Sequence, residues 1–413
     1  MRIWIPSRSL IFAGLRGHRP RRYSAVTNDV ERVNVRVGSS GDTTIDLHNI
    51  AKLSSQNSLL VYLPPFSTAF TDTPAQLPKF IQGQPTAVIN YRWDGFSPFR
   101  TRKSAASAST DKSDEEFSPI LSWPAPIHDV SMAYSWIAQN LGPSGYARRD
   151  VYLYGSYLGA SLAMSLALTE TYPYEQMAVR GCIAFNGIYN WTTFLPDHPI
   201  NNPPKPGSTL ETKIPSRSND PHFQELKQHV EALFVSPSGL FDPFASASLF
   251  FYTPGLLVPP DFTTSALSPE ASFLANVSLP NPETGEPALV LKHPRKGRLF
   301  FPPTTSTLGI PQTLLLHTEP PPLPPPHLRR NQRQRSKEDS FQIQARELGW
   351  YIHSRIFSMR RDEDFERDYD YDSWEYSDFE TIRVRNVGSS SGDYRLNSKG
   401  EELAATWLED HIS

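Results

Sequence analysis

The sequence predicts an α/β fold: a mostly parallel central sheet flanked by helices, carrying an inserted region and long loops. Three observations point there. Through the first half of the chain, short strand-like runs alternate with segments of helical spacing, the pattern of βα units that build a parallel sheet. At residues 151–163 an aromatic and apolar run meets Gly155 and Gly159 and continues as an Ala/Leu/Met run, which reads as strand, sharp turn and buried helix. After about residue 200 the alternation gives way to an irregular, aromatic and proline-rich stretch, and a strand-like run returns only at 311–317.

Taken in order, residues 30–50 alternate enough at 33–37 and 44–47 for a pair of opening strands. Residues 58–63 form a strong buried strand ended by Pro64 and Pro65, and 86–91 the next, followed by Arg92 and Trp93. Residues 101–118 are rich in Ser, Thr, Lys and Asp and are expected to be a disordered surface insertion. A proline-led helix then carries Met132, Ala133, Trp136 and Ile137 at helical spacing. Asp129 is expected in its first turn, where a carboxylate favours the helix dipole. The strand and turn at 151–163 and a buried strand at 180–186 follow. Residues 222–234 are helix-like, and 281–304 read as a hairpin whose second strand contains Leu299, Phe300 and Phe301. A helix at 340–357, an acidic aromatic stretch at 362–380, a last strand at 380–387 and a closing helix at 398–411 complete the chain. The acidic stretch reads as a solvated loop or exposed helix facing the arginines at 329–335.

Although 413 residues would suffice for two or three domains, folds of this class often run to about 250 residues or more as one unit. The reading is one large domain with insertions: 24–200 the first part of the core, 201–305 a cap, and 306–413 the second part. The last part includes a Pro/Arg-rich loop at 319–338. Its proline run at 320–326 is a polyproline II segment, either a stiff exposed loop or a ligand for an SH3-like groove. The single cysteine, Cys182, lies in an apolar run and is expected in the core; one cysteine excludes a disulfide framework and any Cys-rich metal site.

The first 23 residues hold six arginines and no acid, and Arg21, Arg22, Tyr23 and Ser24 resemble a matrix-processing site cut before Ser24. The expectation is a mitochondrial transit peptide, with the mature protein in the matrix. Its removal would take the formal net charge from −3 to −9, which argues against general nucleic-acid binding. No run of about eighteen apolar residues is present, so no membrane span is expected.

Three separated pieces resemble the hormone-sensitive-lipase-like branch of the α/β-hydrolase family, here a mitochondrial member of fungal type. Tyr91 and Arg92 look like that branch's Y-R-L motif. Pro124, Asp129, Ala133 and Trp136 look like its P-x-x-x-x-D-x-x-x-A-x-x-W helix, and residues 155–163 align without a gap with its G-D-S-A-G-G-N-L-A elbow. Gly155 and Gly159 are then the structural glycines of a nucleophile elbow, where they let strand and helix approach closely.

The resemblance also implies site positions, and there the residue types depart from it. In register, Tyr157 falls on the nucleophile serine and Ser156 on the residue before it. The oxyanion loop aligns with Leu63, Pro64, Pro65 and Phe66, and prolines have no N–H to donate. The acid position offers only Glu319, and the residues after the last strand, 388–393, contain no histidine. Other acid–base candidates are weaker: His128 with Asp129 reads as a local cap, His222 and His229 as a solvated helix face, and His317 with Glu319 as too few ligands for a metal.

The implied function is therefore an α/β-hydrolase-fold protein with a degenerate triad, acting as a binding or scaffold component. It requires no cofactor and no metal, and it takes a protein partner or a small apolar ligand. Two alternatives stand beside it: a carboxylic-ester or thioester hydrolase using Ser156, and an interaction module working through the Pro/Arg-rich loop.

Overall fold

The structure, a computed structural model of the whole chain, describes residues 30–54, 57–67, 74–93, 121–201, 221–266, 294–319, 340–360, 381–389 and 394–412. The expected transit peptide, the insertion at 101–118, the polyproline run, its arginines and the acidic stretch at 362–380 lie outside the described residues.

Among the described residues ten strands occur: β1 (Val30–Arg36), β2 (Asp42–His48), β3 (Leu59–Leu63), β4 (Thr86–Asn90), β5 (Arg149–Ser156), β6 (Met177–Phe185), β7 (Tyr252–Thr253), β8 (Gly297–Arg298), β9 (Gln312–His317) and β10 (Ile382–Asn386). Eight form one sheet in the order β1-β2-β4-β3-β5-β6-β9-β10. β2 runs antiparallel to both β1 and β4, and every other pair is parallel. Five α-helices are described: α1 (Ala125–Asn140), α2 (Leu158–Thr169), α3 (Pro221–Phe234), α4 (Ser340–Arg360) and α5 (Ser398–Ile412).

The alternation of side chains along a strand decides which helix covers which face. Along β5, Val151 and Leu153 join a core with Ala133 and Ile137 of α1, Leu162 and Leu166 of α2, and Leu348 and Ile352 of α4. Tyr152 and Tyr154 point the other way, into a second core closed by Ala404, Trp407 and Leu408 of α5. Central strands β3 and β4 are buried along their whole length, as expected where helices cover both faces. A mostly parallel sheet so covered, with a strained strand-to-helix turn at its centre, is the α/β-hydrolase fold that the sequence implies.

Between β6 and β9, α3 and short 3-10 turns pack against the sheet through tryptophans. Trp93 donates its indole N–H to the Leu233 carbonyl at 2.9 Å, and Trp123 donates to an Asp242 carboxylate oxygen at 3.1 Å. Trp93, Trp123, Trp191 and Phe234 form one ring cluster with centroid spacings of 5.0–6.2 Å.

Two expectations need correction. Leu299 to Phe301 is not a strand of a hairpin at 281–304; the short strand is Gly297–Arg298, and its antiparallel partner is Tyr252–Thr253, more than forty residues away. Pairing across so long a connection leaves no local signal. Asp129 is not in the first turn of α1, which contains no acidic residue, because the helix begins at Ala125 and buries Asp129 on its inner face.

Candidate functional site

The strand-to-helix turn after β5 is built as the two glycines require. Gly155 leaves no room for a side chain because the Gly159 carbonyl lies against it, and a Cβ on Gly159 would collide with the carbonyl oxygens of Leu63 and Pro64. β5, α2 and the end of β3 therefore approach to backbone contact. Between the glycines, Tyr157 has φ 53° and ψ −115°, a conformation that is strained for any residue with a Cβ. Its N–H donates to the Phe185 carbonyl at 2.8 Å, and its own carbonyl accepts from the Ala160 N–H at 3.1 Å, so neighbouring elements hold the strained turn in place.

Tyr157 and Ser156 lie on opposite faces of the sheet. The Tyr157 ring, 1% exposed, packs beside Tyr394 at 4.4 Å, Phe66 at 5.5 Å and Phe341 at 6.0 Å between centroids. Phe66 in turn meets Tyr394 edge-on at 4.9 Å. The turn is thus capped by a stack of rings from four separate parts of the chain. Ser156, also 1% exposed, sits on the other face, beside the phenols of Tyr62 and Tyr154. Those two phenols stack at 5.2 Å, and Phe80 meets Tyr154 at 5.0 Å. Burial pushes the Tyr62 hydroxyl up to about 12 and Tyr154 well above its ordinary value, so both remain neutral.

The other positions singled out in the sequence are placed as follows. Pro64 turns its carbonyl to the Tyr91 hydroxyl, which donates to it at 2.7 Å, and Pro65 is half-buried beside it. This segment presents carbonyl oxygens to the elbow, and the side chain that reaches Tyr157 from it is Phe66. Glu319 is exposed; its carboxylate accepts from the Asn386 amide at 3.2 Å, and its N–H donates to Gly388. His317 is buried with Nδ1 3.0 Å from the Thr318 carbonyl, and His411 stacks on Trp407 at 4.2 Å within α5. His128 is exposed while its neighbour Asp129 is buried, so the two diverge as adjacent helix residues must. His229 is half-buried, and the His222 side chain lies outside the described residues. Cys182 is a core residue, and burial raises its thiol far above the usual range. No cluster of three or more metal-ligating side chains occurs among the described residues.

The fold joins two of the motifs directly. Asp129 Oδ2 accepts from both the Arg92 backbone N–H at 2.8 Å and its Nε at 2.9 Å, and Oδ1 accepts from the guanidinium at 2.6 Å. Arg92 also donates to the Ser40 carbonyl. This buried bidentate pair fastens α1 to the end of β4, and each motif is the other's partner.

Two features escaped the sequence reading. Tyr394 follows directly on residues 388–393, where the resemblance places the base, and brings an aromatic ring instead; its only local mark is its position. Gln344 of α4 is buried and accepts from the N–H groups of Tyr189 and Asn190 at 2.9 and 2.8 Å. Asn190 and Tyr252 both donate to Glu347 one helical turn farther along, so α4 carries the polar ligands for the loop after β6. A glutamine in a helical segment gives no sign of this task.

No protein-family model and no curated protein matches the chain. Among solved structures it is similar to carboxyl esterase 2 from the mycorrhizal fungus Tuber melanosporum, with 12% identity, a TM-score of 0.45, and coverage of 99% of this chain and 96% of that one. It is also similar to an esterase from Pyrobaculum calidifontis, with 13% identity, a TM-score of 0.44, and coverage of 93% and 86%. A third is EstE1, a thermostable carboxylesterase cloned from a metagenomic library, with 10% identity, a TM-score of 0.43, and coverage of 96% and 92%. At these scores no residue assignment transfers from them to this chain.

Proposed function

We propose that this protein is a catalytically inactive α/β-hydrolase-fold protein that works as a binding or scaffold component of the mitochondrion. Residues 1–23 are then its transit peptide and 201–305 its cap, and it takes a protein partner or a small apolar ligand. The observation that carries the reading is the ring stack at the elbow. Hydrolysis on this fold needs a nucleophile at the turn, a base to take its proton and N–H donors where the oxyanion forms. Here the turn residue is Tyr157, packed at 4.4 Å against Tyr394, and the loop facing it begins with two prolines. An unperturbed phenol near pKa 10 is a poor nucleophile without an adjacent base.

The rival reading, a serine hydrolase using Ser156, requires that hydroxyl to reach a substrate. Its burial beside Tyr62 and Tyr154, on the face opposite the Tyr157 ring, weighs against this. A fluorophosphonate serine probe and short acyl esters test the two readings together. We expect no labelling and no turnover above a heat-killed control. Labelling of the wild type that vanishes in Ser156→Ala, with the fold intact, would replace this proposal with the esterase. For the address, sequencing of protein purified from its native source should begin within a few residues of Ser24; intact Met1 would remove the mitochondrial assignment.

A further inference from the structure

Between β6 and β9 the chain carries one short strip whose side chains all face solvent, residues 294–300. Its backbone is fixed. Gly297–Arg298 pairs with Tyr252–Thr253, the Leu299 N–H donates to the Phe251 carbonyl at 2.7 Å, and the Gly297 N–H donates to Thr253 Oγ1 at 2.9 Å. Arg355 of α4 donates to the carbonyls of Phe301 and Pro302 at 3.1 and 3.0 Å and lies 5.3 Å from the Phe300 ring centre. From this fixed ribbon project three cations, Arg295, Lys296 and Arg298, together with Leu299, 40% exposed, and Phe300, 73% exposed. Among the described residues no carboxylate forms an ion pair with any of the three cations; Lys296 and Arg298 lie over the rings of Tyr252 and Trp350.

We propose that this strip docks the protein on the surface of an anionic phospholipid bilayer. The chain carries a formal net charge of −3, so attraction to an anionic surface has to be local, and the strip is a place where positive charge stands unmatched. An acidic groove on another protein would satisfy the cations but would also need a pocket for Leu299 and Phe300. A bilayer satisfies both at once. The two apolar side chains enter the acyl boundary while the arginine and lysine stems keep their charges at the phosphate level. Each cation near such a surface contributes enough to change binding about fivefold.

The test uses the full chain and co-sedimentation with phosphatidylcholine vesicles, with and without phosphatidylserine. We expect binding only to the phosphatidylserine vesicles, weakening as salt is raised. Arg295→Ala/Lys296→Ala/Arg298→Ala should weaken it about 10²-fold, and Phe300→Ser about tenfold. Every variant keeps the six arginines of residues 1–23, so their own attraction to anionic lipid cancels in the comparison. Phe300 is exposed, so its variant keeps the question answerable should the triple variant misfold. A wild type that binds neither vesicle at low salt overturns the proposal, as does either folded variant binding phosphatidylserine vesicles as tightly as the wild type. Equal binding to soluble polyglutamate, with Phe300→Ser silent, would overturn it in favour of an acidic protein partner.

Discussion

Replacing Tyr157 measures both the packing of the ring stack and the strain of the turn beneath it. A buried tyrosine removes about 150–250 Å² from water, which at about 25 cal/mol per Å² amounts to roughly 4–6 kcal/mol. Measured aromatic-to-alanine losses in cores, about 3–5 kcal/mol, agree with that range. Tyr157→Ala should therefore destabilise the protein by about 3–5 kcal/mol, since alanine keeps the Cβ and with it the strain at φ 53°. Tyr157→Gly loses the same ring contacts but releases about 1–3 kcal/mol of strain, offset by about 0.5–1 kcal/mol of extra chain entropy. The glycine variant should thus be the more stable of the two by about 1 kcal/mol, opposite to the usual order of these residues. Urea unfolding followed by circular dichroism gives both differences, provided the slope m is unchanged between variants. The vacated space is lined by Phe66, Phe341 and Tyr394, so a small aromatic such as indole should raise the midpoint of either variant and leave the wild type unaffected. An alanine variant within about 1 kcal/mol of wild type, or one more stable than the glycine variant, would refute the packed and strained elbow.

Further outcomes follow from the same contacts. Asp129→Ala strands the Arg92 guanidinium in the interior and should cost about 3–5 kcal/mol, whereas Arg92→Met/Asp129→Leu should recover most of that in the same unfolding assay. Gly159→Ala drives a Cβ into the carbonyls of Leu63, the last residue of central strand β3, and of Pro64 directly after it, which are backbone atoms and cannot swing aside; a loss of at least about 2–3 kcal/mol of unfolding free energy is expected. Burial lowers the pKa of His48 and of His353, with Asp46 partly opposing it at His48. Below about pH 6.5 the unfolded chain takes up protons before the folded one does, so the stabilisation is fully present above that pH and declines beneath it. Stability measured from pH 8 to 5 should fall through this window, and less steeply when both histidines are replaced by glutamine.

The sheet and the elbow were legible in the sequence because each rests on local signals. The apolar run of β3 and the Ala87–Ile89 run inside β4 mark strands buried on both faces, and Gly155 with Gly159 marks a close backbone approach whatever lies between them. Alternation of neighbouring side chains also accounts for Ser156 and Tyr157 standing on opposite faces of the sheet. What surrounds each side chain was decided only by the tertiary structure, because the partners come from distant parts of the chain and contact between them leaves no mark on spacing. Phe66, Phe341 and Tyr394 converge on Tyr157 from the ends of β3, α4 and the loop after β10. Asp129, which helix position alone suggested as a dipole partner, is instead the buried counter-ion of Arg92, thirty-seven residues away. Composition and periodicity report how a segment meets an apolar or aqueous surface; which group it meets there is set by how the elements pack.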